Sequence, residues 1–158
     1  YARNIAASLL TAINYVGVIS IELFYGPSGL QVNEIAPRTH NSGHFTIEAA
    51  HTSQFEQQVR IVAGLPMGSV EFQVPGALMV NLLGFESSEA DYQAQRDDLA
   101  AIPEATVHWY GKEGSSPGRK LGHVTLLLHG VTAGERAGHA EQLLERVRSI
   151  WPLPPQNP

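Results

Sequence analysis

Hydrophobic and polar positions along the chain follow two periods, and each period predicts a different kind of element. Ile5, Leu9 and Ile13 recur at helical spacing, so we expect a helix over residues 2–14 with one buried stripe. The stretch VGVISIELFY is β-branched and aromatic, and it is followed by the turn residues GPSG and the shorter stretch LQVNEI. The pattern predicts two strands joined as a hairpin.

Two helical segments are expected after the hairpin. Ser53 and Glu56 form a capping-box pattern, which predicts a helix through about residue 63 that ends before Gly64. Residues 46–51 are expected to form a separate helical turn.

Beyond QVPG at residues 73–76 the pattern becomes rich in strands. ALMVNLLGF, TVHWYGK and HVTLLLHGV each predict a strand, and the last two flank the turn-rich stretch EGSSPGR. The acidic residues 87–101 are expected to form an irregular helix or a loop. We therefore place a boundary near Pro75, between a part at residues 1–75 and a second part at residues 76–158.

The C-terminal segment carries one more helical pattern. Ala140, Leu143, Leu144 and Val147 stand at i, i+3, i+4 and i+7, which predicts an amphipathic helix. The tail PLPPQNP cannot continue it and is expected to be extended or frayed. Together the elements predict the α+β class.

Composition restricts the classes of function. The chain has 158 residues, 43% of them hydrophobic and 16% charged, which predicts a globular protein. The net charge of −5 gives no general attraction to nucleic acid or to an anionic membrane, and no apolar run approaches the roughly 20 residues that span a bilayer. The absence of cysteine excludes disulfides and zinc–thiolate sites, and a cytoplasmic location is expected.

Two acidic residues of the hairpin are candidates for a metal site. If the loop has three residues, Pro27 to Gly29, then Gly26 pairs with Leu30, and Glu22 lies directly opposite Glu34 on the same face. A two-residue loop would put the two carboxylates on opposite faces. Facing carboxylates repel each other and need a cation such as Mg²⁺ or a raised pKa, whereas separate ones are ordinary exposed acids. Spacing alone leaves both interpretations open.

Histidines after the hairpin offer another metal site. His40, His44 and His51 could bind a transition metal only if the first two shared a helix face. The stretch HNSGH contains Ser-Gly and predicts a loop, which disfavours this alternative.

Both lysines of the chain, Lys112 and Lys120, fall in the stretch KEGSSPGRK beside Arg119. Clustered cations on a turn rich in glycine and serine indicate a local anion site, since such turns offer free backbone N–H groups. The alternative is a solvated hairpin turn. Three charges are too few for nucleic-acid binding.

Several motifs together resemble one enzyme family. ISIELFY…GLQVNEIAPRTHNSGH, then SQFEQQVRIVAGLP, and then VHWYGK…PGRKLGHV are similar to the C-terminal half of N5-carboxyaminoimidazole ribonucleotide synthetases, which are ATP-grasp ligases of purine biosynthesis. The similarity covers nearly the whole chain. It implies the C-terminal part of an ATP-grasp domain, an antiparallel sheet with helices, followed by a small β-rich lobe with a terminal helix.

The resemblance also implies an activity. Such enzymes use ATP to convert bicarbonate to carboxyphosphate, which then carboxylates the exocyclic amine of 5-aminoimidazole ribonucleotide. The implied cofactors and partners are Mg²⁺ or Mn²⁺, ATP, bicarbonate and the ribonucleotide, and a homodimer is a further expectation.

Residue roles follow from the resemblance position by position. Glu22 and Glu34 would bind the metal, and Glu34 with Asn33 would contact the metal-bound nucleotide. Ala36 stands where many ATP-grasp enzymes have an asparagine, so water, phosphate or Asn33 would fill that place.

The loop and the cationic turn receive the remaining roles. Arg38, with its planar fork, would bind bicarbonate or carboxyphosphate, and His40 would transfer a proton. The substrate-binding residues implied by the resemblance are Asn41, Ser42, Lys112, Arg119 and Lys120. His44 is expected to be structural.

The parts of an ATP-grasp site that hold ATP are expected upstream of this chain. No lysine precedes Lys112, and GPSG joins two strands rather than opening a helix. The chain is therefore expected to be a fragment that is inactive by itself. The alternatives are another ATP-grasp carboxylase or formyl-transfer ligase, or a noncatalytic β-rich binding or dimerisation module.

Overall fold

The computed structural model describes residues 1–155. These form two compact units, of which the first is Tyr1–Glu71 and the second begins at Phe72. The division lies shortly before the predicted boundary near Pro75. The assignment of residues 1–75 and 76–158 to parts of a known domain stays a prediction. The last three residues of the predicted extended tail, 156–158, lie outside the described residues.

The first unit contains one helix, a hairpin and two further helices, as the hydrophobic pattern predicts. Its elements are, in order, α1 (Ala2–Ala12), β1 (Ser20–Gly26), β2 (Gly29–Ala36), a 3₁₀ turn (Asn41–Gly43), α2 (Thr46–Ala49) and α3 (Gln54–Val62). β1 and β2 form a two-stranded antiparallel sheet. The buried hydrophobic residues described in this unit are small ones, Ala36, Ala49 and Ala50. Hydrogen bonds therefore carry much of its local order.

The start of α3 forms half of the predicted capping box. The Ser53 hydroxyl accepts a hydrogen bond from the backbone N–H of Glu56 at 3.2 Å. The Glu56 carboxylate forms an ion pair with Arg60 one turn later, at 2.8 Å. The cap thus fixes where α3 begins, and Gln54 is its first residue.

The second unit contains a three-stranded antiparallel sheet with two helices. Its elements are β3 (Ala77–Leu83), α4 (Gln93–Ala100), β4 (Ala105–Trp109), β5 (Lys120–Leu127) and α5 (Ala133–Ile150). The strand order is β3-β5-β4, so β5 is the central strand. Residues 121–126 are all buried because neighbouring strands cover both edges of β5.

Trp151, directly after α5, organises the core of this unit. Its ring packs edge-on against Phe85, Tyr92 and Trp109, with centroids 5.1–6.0 Å away. Its indole N–H donates to the carbonyl of Leu83 at 2.7 Å. One residue therefore ties the end of α5 to the end of β3.

The predicted stripe of α5 packs onto this core. Leu143 and Val147 are buried and Ala140 packs beside them, whereas Leu144 is 37% exposed at the edge of the stripe. The α+β class predicted from the sequence is confirmed. Among the helices in residues 1–155, none combines the length and apolar character needed to cross a membrane.

Replacing Trp151 with Ala should destabilise the second unit strongly. The change removes a fully buried ring and its hydrogen bond, so we expect a loss of about 3–5 kcal/mol in the free energy of unfolding. Urea titration followed by circular dichroism measures it. The control is Leu153→Ala, at a residue that is 61% exposed, with an expected change below about 0.5 kcal/mol. Equal effects of the two substitutions would contradict the role of Trp151.

The capping box of α5 should make stability depend on pH. Backbone N–H groups of Thr132 and Val131 donate to the Glu135 carboxylate, and this holds the pKa of Glu135 below its ordinary value of 4.5. A lowered folded-state pKa means that the stabilisation is present above the unfolded pKa and is lost as pH falls through the folded one.

Glu135→Gln should therefore lower the urea midpoint at about pH 7, and the difference from the parent should shrink at roughly pH 3. Glu141→Gln, at an exposed position of the same helix, is the matched control. A difference that stays constant over this range would contradict the prediction.

Candidate metal and anion site on the acidic hairpin

The two carboxylates of the hairpin share a face, although the turn has the shorter of the two lengths considered. Gly26 pairs with Gly29, so the connection has two residues. In regular pairing this turn would place Asn33, not Glu34, opposite Glu22. A β-bulge next to Glu22 adds one residue to β2, and Glu22 then pairs with Glu34. The facing carboxylates predicted for a longer loop are thus produced by the bulge.

Asn33 is the extra residue of the bulge, and its side chain orients one of the two acids. Leu23 pairs with Val32 and Glu22 with Glu34, which leaves Asn33 without a partner in the ladder. Its amide N–H donates to Oε2 of Glu22 at 3.1 Å. Asn33 therefore holds the Glu22 carboxylate by one oxygen, and its expected role beside a metal-bound nucleotide stays a prediction.

His40 lies against both acids. Its Nε2 is 3.8 Å from Oε1 of Glu22 and 3.9 Å from Oε1 of Glu34. One ligand atom from each of the three residues lies within 4.8 Å of the others. The sequence assigned His40 to proton transfer only, and it gave no signal that the imidazole would join the two carboxylates.

Ser42 sets the orientation of the His40 ring. The Ser42 backbone N–H donates to Nδ1 of His40 at 3.3 Å, and the Ser42 hydroxyl lies 2.9 Å from the same nitrogen. Because Nδ1 accepts, the proton of the neutral imidazole is on Nε2, which faces the carboxylates. Ser42, predicted to bind substrate, contacts the candidate proton carrier in this structure.

Arg38 and Asn41 flank this group. The Arg38 guanidinium is exposed and donates to the carbonyl of Thr39 at 3.0 Å, and the described residues contain no ion pair for it. Its charge is therefore available to an anion. Asn41 begins the 3₁₀ turn, which keeps it next to His40.

The three histidines do not come together as one metal site. His44 Nδ1 lies 2.9 Å from the amide nitrogen of Gln54, and its ring packs against Phe55. His51 is exposed and belongs to no metal-binding cluster found among residues 1–155. His44 has the structural environment expected for it.

The cationic turn between β4 and β5 is ordered by backbone contacts. Ser88 and Ser115 form a bridge, and the Ser115 hydroxyl donates to the carbonyl of Glu86 at 2.9 Å. Gly84 has no room for a side chain because Ser116 lies directly above it. The turn is thus anchored rather than freely solvated.

The three cations of this turn stand close along the chain but bind different groups. Lys112 Nζ donates to the carbonyl of Lys120 at 2.7 Å, and Arg119 donates to the carbonyls of Glu113 and Gly114. Lys120 is exposed at the start of β5. A depression of about 270 Å³ beside Lys112 is also lined by acidic residues, and their negative charge disfavours phosphate there. Phosphate binding by Lys112, Arg119 and Lys120 stays a prediction.

Tyr110 connects this turn to the sheet. Its hydroxyl lies 2.9 Å from Nδ1 of His123, and Lys112 Nζ lies 5.6 Å from its ring centroid. Burial raises the pKa of Tyr110 above its ordinary value of 10.0, so the phenol is neutral at physiological pH.

Two family models match the chain. The ATP-grasp domain matches residues 1–55, and the phosphoribosylaminoimidazole carboxylase C-terminal domain matches residues 77–136. The N5-carboxyaminoimidazole ribonucleotide synthase of Synechococcus elongatus is 57% identical over 150 residues, which is 95% of this chain and 38% of that relative. The chain belongs to the N5-carboxyaminoimidazole ribonucleotide synthetase family.

Solved structures of the synthetase family have the same fold. The enzyme from Thermotoga maritima superposes with a TM-score of 0.76 at 41% identity, over 94% of this chain and 40% of that one. The synthase from Aspergillus clavatus, in complex with ADP and 5-aminoimidazole ribonucleotide, has a TM-score of 0.77 at 33% identity, over 92% and 39%. The chain spans about two fifths of the length of the relatives it matches.

Divalent-cation binding should require both facing acids. We expect Glu22→Gln to weaken Mn²⁺ binding at least about tenfold, because one of two charged oxygen ligands is lost. Electron paramagnetic resonance of free Mn²⁺ measures the affinity. Glu71→Gln, at an exposed acid of the same unit, is the control and should bind like the parent.

Deleting Asn33 provides a second test of the same geometry. Removal of the bulged residue turns the hairpin into a regular ladder in which Glu22 still faces Glu34, so Mn²⁺ binding should survive. Loss of binding in a deletion variant with an unchanged circular dichroism spectrum would show that the hydrogen bond from Asn33 to Glu22, and not the facing register alone, is needed for the metal.

Proposed function

We propose that this chain carries the metal-binding and bicarbonate-activating part of an enzyme that uses ATP to carboxylate 5-aminoimidazole ribonucleotide to N5-carboxyaminoimidazole ribonucleotide. The observation that carries the proposal is the pairing of Glu22 with Glu34 on one face, with His40 beside them. The Aspergillus clavatus relative, solved with ADP and 5-aminoimidazole ribonucleotide, supports the substrate assignment.

Glu22 and Glu34 suit a hard divalent cation. Two carboxylates on one face are typical ligands of Mg²⁺, which is bound through one or two carboxylates plus substrate phosphates. When bound, Mg²⁺ neutralises the charge of the nucleotide phosphates during phosphoryl transfer. Asn33 fixes Oε2 of Glu22, so the other oxygen is directed to the site.

Arg38 and His40 then act on the anions. We propose that Arg38 binds bicarbonate, whose oxygen takes the terminal phosphoryl group of ATP to give carboxyphosphate and ADP. His40 carries a proton on Nε2 and donates to the oxygen of this anion nearest the hairpin. Attack by the exocyclic amine on the carbon then forms the new C–N bond and breaks the bond from that carbon to the bridging phosphate oxygen, and phosphate leaves with the proton lost from the amine.

Asn41, Ser42 and the cationic turn complete the proposed substrate contacts. Asn41 and Ser42 lie next to His40 and would meet the imidazole part of the substrate. Lys112, Arg119 and Lys120 would bind the 5′-phosphate of the ribonucleotide. Support for the second assignment comes from the clustering of these cations on one anchored turn. The homodimer and the cytoplasmic location expected from the sequence stay predictions.

A chimera tests the proposal on a complete enzyme. The 158 residues replace the aligned part of the Synechococcus elongatus relative, and ADP release is measured with bicarbonate and 5-aminoimidazole ribonucleotide. We expect turnover, and we expect Glu34→Gln to reduce kcat by about 100-fold because a ligand next to the developing charge is lost.

Glu56→Gln is the matched control, since Glu56 is an exposed acid of the same unit whose carboxylate pairs with Arg60. It should leave kcat unchanged. An inactive parent chimera beside an active natural relative would contradict the proposed function. Full turnover by the Glu34→Gln variant would contradict the metal assignment alone.

A further inference from the structure

Gln54, the first residue of α3, uses its whole side-chain amide on the loop that carries His40. Its Oε1 accepts from the backbone N–H of His40 at 2.9 Å, and its Nε2 donates to the carbonyl of His40 at 2.8 Å. The same Nε2 lies 2.9 Å from Nδ1 of His44. Both amide protons and the amide oxygen are therefore in use.

This contact works like one rung of a β-ladder made by a side chain. His40 has the extended backbone conformation, φ −131° and ψ 152°, so its N–H and carbonyl can both face the planar amide. With the backbone fixed on both sides of its Cα, the ring direction of His40 depends only on its side-chain torsions. The Ser42 contacts to Nδ1 then leave Nε2 directed at Glu22 and Glu34.

The loop residues after His40 are shaped around this amide. A Cβ at Gly43 would lie 2.7 Å from Oε1 of Gln54, closer than side chains pack. Thr46 donates its hydroxyl to the carbonyl of Gly43 at 2.6 Å and accepts from the backbone N–H of Gln54 at 3.0 Å. Loop and helix start are thus bound to each other from both sides.

The same helix carries a second glutamine with the same kind of contact at another place. Gln57 accepts from the N–H of Gly68 at 3.1 Å and donates to the carbonyl of Gly68 at 2.7 Å. It is buried and belongs to the same unit. Gln57 therefore shows what a purely structural amide contact does in this protein.

We propose that Gln54 is a positioning residue that holds His40 in the orientation and tautomer in which Nε2–H faces Glu22 and Glu34. The effect of Gln54 on turnover rests on the proposed function. The effect of Gln54 on the placement of His40 is independent of that function and is measured on the 158-residue chain itself.

The first test is the tautomer of His40, read from long-range ¹H–¹⁵N spectra at a pH where imidazole is neutral. The parent should show a proton on Nε2 only. Gln54→Met, which keeps the chain length of the side chain but not its hydrogen bonds, should give a mixture of tautomers. Gly43→Ala should do the same, because the added methyl group displaces the amide of Gln54.

Gln57→Met is the matched control. It removes an equivalent pair of hydrogen bonds from the same helix, so it should lower the urea midpoint about as much as Gln54→Met and leave the His40 spectrum unchanged. A His40 spectrum that is unchanged in Gln54→Met, or changed equally in Gln57→Met, would overturn the proposal.

The second test separates positioning from stability in the chimera described above. Gln54→Met should lower kcat about 10- to 100-fold with little change in the KM for ATP, as misplacement of a catalytic group does. Gln57→Met should retain the parent kcat. Equal kcat values in the two variants would overturn the catalytic role of the positioning. An inactive parent chimera would instead refute the proposed function, and the spectra would still decide the placement of His40.

Discussion

A regular antiparallel ladder could not pair both Ile21 and Leu23 of β1 with apolar residues of β2. Ile21 and Leu23 point to the same face, so their partners on β2 must be apolar on that face as well. The apolar residues available are Val32 and Ile35, three positions apart, and an odd spacing places them on opposite faces of a regular strand. The bulge at Asn33 allows both pairings, Leu23 with Val32 and Ile21 with Ile35.

The facing acids are a consequence of this apolar pairing. Once Ile35 is returned to the apolar face, Glu34 must lie on the other one, directly opposite Glu22. The apolar face is shared with α1, since Ala2 and Ala6 line one depression with Ile21 and Leu23. The bulged register thus places these apolar residues on one side of the hairpin and the two acids on the other, and bulges near functional sites commonly redirect side chains in this way.

The sequence was sufficient for the helices and strands, but not for the geometry between the candidate site residues, whose roles stay predictions. Periodicity and caps predicted the helices and strands, since these depend on neighbours along the chain. The turn length stayed open because Pro27 and Gly29 suit both a two-residue and a three-residue connection. The odd spacing of Val32 and Ile35 was a signal for the bulge. It indicates the bulge only when the pairing of β2 with β1 is known.

Contacts made by side chains across the chain were beyond prediction in principle. Nothing in the stretch SQFEQQV distinguishes Gln54, which binds the His40 loop, from Gln57, which binds Gly68. The sequence did not predict that Trp151 lies at the centre of the core of the second unit, because its partners come from β3, β4 and the residues before α4. Such contacts depend on long-range topology, whereas sequence patterns report local periodicity.

The two acids and the histidine beside them differ in how far they are exposed to water. The side chains of Glu22 and Glu34 are 38% and 51% exposed, so water screens much of their repulsion. The His40 side chain is only 13% exposed and is held by hydrogen bonds that do not involve the acids. The site therefore combines two solvated carboxylates, the candidate metal ligands, with a fixed imidazole. A cation that binds there replaces water at the carboxylates and does not have to assemble the group, which favours tight geometry at little conformational cost.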